Sequence, residues 1–303
     1  TGDGDGGDSY SVGVLKSTDG GTTWNTTGLN WSVTQTRRIS KLLIHPTNPQ
    51  IIMAFGTYGI YRTVDAGVTW TLVNSTSCKD AEFKPGDPNT VYAAGATFRK
   101  STDGGLTWTT ITTNLTDIGR IAIGVTPIAP DNVYLLVSKS SNNSFNALLR
   151  SSNSGSTFET RSTSPNLMGW SDGTDATDTG GQGWYDLAIA VSPLNSEELM
   201  VGGVNQWKSL DGGTTWTLNS HWYGGYSKPY VHADVHDIVY LPGSGTTIFS
   251  ANDGGIFKTS NGGTTWTDIS GNLSIAQQYR LGLSTTNANL IITGHQDNGT
   301  NRY

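Results

Sequence analysis

The segment 221–240, HWYGGYSKPYVHADVHDIVY, gathers three of the chain's five histidines, His221, His232 and His236. His232, Asp234 and His236 alternate, so on an extended strand their side chains point to one side. Two imidazoles and a carboxylate in that pattern suit a transition metal, which usually takes a further ligand from elsewhere. A carboxylate facing a second one across a groove suits glycoside hydrolysis, at about 5 Å for retention or about 6.5–9.5 Å for inversion. A third role is structural, in which all three bond to loop backbones and pin the start of a strand. Asn252 and Asp253 in ANDGGIF, and His295, Gln296 and Asp297 in GHQDNGT, are further polar groups that could complete such a site.

Other candidate groups are scattered along the chain. The opening TGDGDGGD places Asp3, Asp5 and Asp8 in a glycine-rich loop of the D-x-D-G kind that calcium takes, without the glutamate that would close such a loop. The segment 169–184, GWSDGTDATDTGGQGW, sets three aspartates between Trp170 and Trp184, as a mobile loop or a sugar-binding rim would. Trp207, Trp222, Tyr223 and Tyr226 add flat aromatic surface beside polar groups, the composition of a carbohydrate-binding face. Cys78 is the one cysteine; it excludes an intrachain disulfide and reads as a half-buried structural thiol.

These groups need a scaffold, and the scaffold repeats. STDGGTTW (17–24) returns as TVDAGVTW (63–70), STDGGLTW (101–108), SSNSGSTF (151–158), SLDGGTTW (209–216) and TSNGGTTW (259–266). The closing aromatics Trp24, Trp70, Trp108, Phe158, Trp216 and Trp266 stand 38 residues apart at the closest (70 to 108) and 58 at the widest (158 to 216). That period suits one four-stranded propeller blade per repeat and is too long for leucine-rich or ankyrin units. Between boxes the text parses into four strands: ISKLLI, IIMAF, GIYRT and TWTLV within 39–73, with PTNP as the first turn and the box as the last. The expected fold is all-β, a propeller of about six antiparallel four-stranded blades over residues 1–303. The first box has no inner strands before it and the tail has no box after it, so a closing blade shared between 279–303 and 1–30 is expected, or else a segment of a longer array.

Within a box, Ser17 and Asp19 can bond turn backbone, Gly20 and Gly21 allow positive φ, and Trp24 is expected to turn inward where blades meet. Six copies around a ring face six different neighbours, which suits a staple better than a ligand site. Asp19, Asp65, Asp103, Asn153, Asp211 and Asn261, with the six closing aromatics, are therefore expected to be structural. The boxes take one face of the disc; the four-to-one and two-to-three connections take the other. On that second face His232, Asp234, His236, Asn252, Asp253, His295, Gln296 and Asp297 are expected to converge, with Asp253, Asp234 and Asp297 as candidate catalytic carboxylates.

The pattern S-x-D-x-G-x-T-W resembles the Asp-box, or bacterial neuraminidase, repeat of sialidases, xyloglucan-cleaving glycoside hydrolases and sortilin-type receptors, all β-propellers. The resemblance covers nearly the whole chain. GQGWYDLAIAVSP, YVHADVHDIVY, ANDGGIFKTS and GHQDNGT further resemble large Asp-box proteins that Bacteroidetes-type bacteria export by the type IX route. That likeness implies a secreted or cell-surface module of a longer chain, binding or adhering to carbohydrate or a cell-surface protein. The xyloglucan-cleaving relatives carry an aspartate in T-D-x-G-G turns between strands two and three. NDGGIF puts Asp253 in a similar turn, one residue out of step, so the alternative implied is a two-carboxylate glycoside hydrolase. Sialidase chemistry is disfavoured, because Arg37 and Arg38 are adjacent and point apart on a strand, and the F-R-I-P motif is missing.

Composition removes other classes. Net charge is −6 with Lys and Arg scattered singly, so no basic stripe offers itself to nucleic acid. No apolar run approaches the ~18 residues of a membrane span.

Overall fold

Alternating apolar residues punctuated by Pro, Asn and Gly fold into short antiparallel strands, each burying one side chain in two on either face. The computed structural model describes residues 11–170, 178–271, 278–283, 291–295 and 300–302; beyond 271 it describes the backbone of the strands and the side chains of Ile292 and Thr293. Asp3, Asp5, Asp8, Gln296 and Asp297, and the side chain of His295, lie outside the described residues.

Strands β1 (Gly13–Lys16) and β2 (Asn25–Asn30) form a two-stranded sheet around the first box. Five four-stranded blades follow among the described residues. The first joins β3 (Ile39–Ile44), β4 (Ile52–Gly56), β5 (Gly59–Thr63) and β6 (Thr71–Asn74). The second joins β7 (Asp80–Lys84), β8 (Asp87–Ala94), β9 (Phe98–Ser101) and β10 (Thr109–Ile111). The third joins β11 (Ile118–Val125), β12 (Val133–Lys139), β13 (Phe145–Ser151) and β14 (Glu159–Ser162). The fourth joins β15 (Ala188–Val191), β16 (Leu199–Gly202), β17 (Gln206–Ser209) and β18 (Thr217–Ser220). The fifth joins β19 (Val235–Tyr240), β20 (Ile248–Asn252), β21 (Gly255–Thr259) and β22 (Thr267–Asp268). Strands β23 (Gln278–Leu283), β24 (Ile291–His295) and β25 (Thr300–Arg302) end the chain. The fold is a β-propeller. Among the described residues the first strands and the last lie in separate sheets, β1 with β2 and β24 between β23 and β25.

The core lies between blades. On β8, Val91 and Ala93 face the preceding blade's Met53 and Phe55, while Tyr92 and Ala94 face Ile121 and Leu135 of the next. On β12 the same split sends Val133 and Leu135 one way and Tyr134 and Leu136 the other. Two-sided burial explains why the second strands read as nearly unbroken apolar runs.

Each box closes the turn between the third and fourth strands. A Ser or Thr hydroxyl donates to Oδ1 of the Asp or Asn at 2.6–2.9 Å in all six copies. The same Oδ1 accepts the amide N–H four residues on at 2.9 Å. In the Asp boxes Oδ2 takes a threonine hydroxyl at 2.6 Å; in the Asn boxes Nδ2 donates to that hydroxyl instead, to Thr157 at 2.8 Å and Thr265 at 2.9 Å. The last glycine of each box has positive φ, and in every box after the first it abuts the preceding sheet: at Gly105, φ +84°, a Cβ would sit 2.3 Å from Met53 Sδ.

The box aromatics pack against the blade before them. Trp108 meets Phe55 edge-on at 6.1 Å, Phe158 meets Phe98 at 5.0 Å, and the Trp216 and Trp266 indoles donate to Ser162 and Asn219 of the preceding blade. Their burial is partial, and Trp24 departs from expectation altogether, being 61 % exposed. Its box is the first, and no four-stranded blade precedes it among the described residues. Trp207, expected on a binding face, is instead 2 % exposed and part of the core between the third and fourth blades.

Candidate functional site

β19 starts only at Val235, and Asp234 before it has φ +62°, in the left-handed region. That kink breaks the expected alternation, and the three side chains go separate ways. His236 lies on the innermost strand and pairs through Nε2 with Asp253 Oδ1 at 2.6 Å. Asp234 Oδ1 accepts the side-chain amide of Gln182 at 2.9 Å. The His232 ring lies over the turn after β20, where a Cβ on Gly254 would fall 2.4 Å from it.

Asp253 and Gly254 form the two-residue turn joining β20 to β21, and Asn252 caps it by accepting the Gly254 N–H at 3.1 Å. The second carboxylate oxygen of Asp253 accepts the Tyr185 hydroxyl at 2.8 Å, and the Tyr185 ring stands edge-on to His236 at 4.9 Å. Burial alone would raise this carboxyl. The hydrogen bonds from His236 and Tyr185, then the positive potential of His236 and His232, outweigh it and hold Asp253 below the usual carboxylate range. Asp253 is therefore an ionised carboxylate with both oxygens engaged.

Tyr185 and Gln182 belong to the connection between β14 and β15, whose last turn is closed by Tyr185 N–H and Asp186 N–H donating to Gln182 O at 2.7 and 3.0 Å. Arg120 donates to Tyr185 O at 2.7 Å, and Arg120 and Lys79 both reach Trp184 O at 3.3 Å, so two neighbouring blades tie the turn down. Asp186 is 0 % exposed, and among the described residues neither carboxyl oxygen has a hydrogen-bond partner within bonding distance. Burial first, and the Asp234 carboxylate second, push it well above the ordinary aspartate range. None of Tyr185, Gln182 and Asp186 is identifiable from residue pattern alone; the signal available is their position, in a four-to-one connection on the same face as Asp253.

The two longest described connections, around Trp184 and over 221–234, both open on this face. Trp222, Tyr223, Tyr226 and Tyr230 are 41–48 % exposed there, and Trp184 and Trp170 are also exposed. Trp222 and Tyr223 meet edge-on at 4.8 Å, and Trp184 leans on Tyr185 at 5.3 Å. Below the face, β3, β7, β11, β15 and β19 line a central cavity of about 500 Å³. Lys41 spans its wall to Glu82 at 2.9 Å and Asp80 at 3.4 Å. No group of three or more His, Cys, Asp or Glu side chains among the described residues is placed to hold a metal ion, and no described helix is long and apolar enough to cross a membrane.

No protein-family model and no curated protein matches the chain. Solved structures do. A GH74 enzyme from Niastella koreensis is 18% identical, with a TM-score of 0.66, over 96% of this chain and 47% of its own. The GH74 xyloglucanase from Xanthomonas campestris is 14% identical, TM-score 0.68, over 95% and 47%. The extracellular domain of a candidate one-component system from B. thetaiotaomicron is 12% identical, TM-score 0.54, over 88% and 33%. The chain therefore spans less than half the length of these neighbours, and the likeness is one of fold.

Proposed function

We propose that the chain is an extracellular or cell-surface propeller module that binds a glycan on its connection face. The observation carrying this reading is the exposed aromatic surface of Trp184, Trp222, Tyr223 and Tyr226 beside a fixed polar network of Asp253, His236 and Tyr185. Aromatic faces accept the C–H faces of pyranose rings, and rigid polar groups orient the hydroxyls. Among the structural neighbours, an extracellular domain and a xyloglucanase are compatible with that setting and with a glycan ligand.

The second reading is glycoside hydrolysis, favoured by the ionised state of Asp253. Its two oxygens are already occupied by Tyr185 and His236, which suits a fixed acceptor better than a nucleophile or a base for water. A glycan array, followed by calorimetry and product analysis on each hit, separates the two. Binding without released oligosaccharide is expected, weakened about tenfold by Asp253→Asn and by Trp222→Ala, each removing one contact worth about 1–2 kcal/mol. Turnover abolished by Asp253→Asn would replace the first reading with the second. An array with no binding, or binding indifferent to both substitutions, would remove the connection face from consideration.

A further inference from the structure

The aromatic segment 221–230 is built around a buried imidazole. His221 is 0 % exposed, and its Nδ1 accepts two backbone N–H groups of its own loop, from Tyr223 at 3.4 Å and Gly225 at 3.3 Å. A nitrogen accepting two N–H groups carries no proton, so the imidazole is neutral with its proton on Nε2. Three rings surround it: Tyr223 edge-on at 4.1 Å, Tyr226 tilted at 5.4 Å and Trp222 stacked at 6.3 Å. The main chain then returns to the same residue. His221 N–H donates to Pro229 O at 3.0 Å, Gly224 N–H donates to His221 O at 3.0 Å, and His221 bridges Tyr230 in parallel.

The loop holds a conformation that does not come free. Tyr226 and Ser227 are consecutive non-glycine residues at φ +59° and +56°, each in a region that L-residues enter at a cost. The ring packing and the two bonds to Nδ1 are among the contacts that offset that cost. Among the described residues, the ionisable groups about His221 are the phenols of Tyr223 and Tyr226 in its own loop, Lys228 in the following turn, Tyr230 across the bridge, and His232 beyond it in the chain. From the turn between β16 and β17, Asn205 adds a neutral amide that holds the Trp222 N–H at 3.0 Å. The chain contains a comparison in His45, whose Nδ1 also accepts two loop N–H groups, from Thr47 at 3.3 Å and Asn48 at 3.1 Å. His45 is partly exposed, whereas His221 is fully buried.

We infer that His221 is an acid-sensitive latch: protonation of its Nδ1 turns the acceptor of two backbone N–H groups into a third donor, and the aromatic loop 221–230 is released from the connection face. The sign follows from burial. A neutral buried histidine that must take up charge loses its stabilising contribution as pH falls below the ordinary histidine value of about 6.5. Release of a bound glycan on acidification rests on the function proposed above; the transition of the loop itself does not.

Hydrogen exchange of the intact chain, read by mass spectrometry on peptides covering 221–230 and corrected for the intrinsic pH dependence of exchange, tests it without any ligand. Protection of the Tyr223 and Gly225 amides is expected to fall at least tenfold between pH 7 and pH 4.5, while β8 and β12 keep theirs. His221→Asn supplies an acceptor oxygen near the position of Nδ1 and does not titrate, so its loop is expected to stay protected across the same range. Protection of the wild-type loop that is constant to pH 4.5, or a loss equally present in His221→Asn, overturns the latch. Loss of glycan binding by Trp222→Ala with no pH effect on the loop would retain the binding reading and discard this one.

Discussion

At the scale of single residues, the boxes and the connection face use the same side-chain types for opposite ends. In the boxes every Asp is surrounded by donors of its own turn; for Asp19 the Thr23 hydroxyl is the strongest, followed by the Thr23 amide and Ser17, and together they hold the carboxyl at about 2. Asp65, Asp103 and Asp211 are likewise held at about 2. A carboxyl with a folded value below its unfolded one, 3.8, stabilises above that unfolded value and loses the contribution as pH falls through about 2. Asp103→Asn copies what boxes four and six already carry. It should cost at most about 0.5 kcal/mol at pH 7, because this turn is solvent-screened. In urea melts the gap to the parent should close between pH 4 and pH 2; a gap that widens towards acid would show that the carboxylate is not what the turn uses. The regular box was readable because its bonds are local, spanning four residues. The connection face was less so. Its key contacts, Tyr185 to Asp253 and Gln182 to Asp234, join residues 68 and 52 positions apart, and the left-handed Asp234 removes the strand alternation that a pattern would follow.

At the scale of elements, strand boundaries follow from periodicity and turn chemistry; GIYRT at 59–63 and ISKLLI at 39–44 are strands as read. What periodicity does not carry is the neighbour against which an element packs. Trp24 and Trp108 close identical turns, and both indoles donate to the carbonyl of their own second box glycine at 3.1 Å. Trp108 also rests on Phe55 of the blade before it, whereas Trp24 is largely in solvent. Trp108→Ala should therefore cost about 2 kcal/mol, roughly half the loss of a fully buried tryptophan, and Trp24→Ala less than about 1 kcal/mol. Denaturant midpoints of the two variants measured side by side check this. Equal losses would mean that the box aromatic acts through its own turn alone and not through the preceding blade. Trp207 makes the converse point. Lying outside the boxes, it reads as a surface aromatic, yet β17 is sandwiched between two blades and its apolar face has no route to solvent.

At the scale of the whole molecule, the inner strands bring together charges that are far apart in sequence. Lys41 on β3 pairs with Asp80 and Glu82 on β7, and the field of Asp237 on β19 reaches it as well. Burial works against the Lys41 ammonium, but the three carboxylates outweigh it and raise its affinity for the proton. Burial also raises Glu82 and Asp237, with Lys41 opposing the rise in both. One ammonium thus serves three carboxylates, and about 30% of the Glu82 side chain is exposed to solvent. Replacing Lys41 by Met keeps the stem and removes the charge. The carboxylates are then left to repel one another, at a cost of about 1–3 kcal/mol, below the full loss for a buried pair because these groups are not fully desolvated. The sign with pH is fixed by the direction of the shifts. Carboxyls raised above their unfolded values favour the protonated folded state, so their ionisation erodes stability as pH rises. Without Lys41 they rise further, and the deficit of Lys41→Met against the parent should grow from pH 5 to pH 8. Denaturant melts at the two pH values decide the matter: a deficit of the same size at both would mean that Lys41 contributes by packing along the cavity wall, and that the inner strands are not held by its charge.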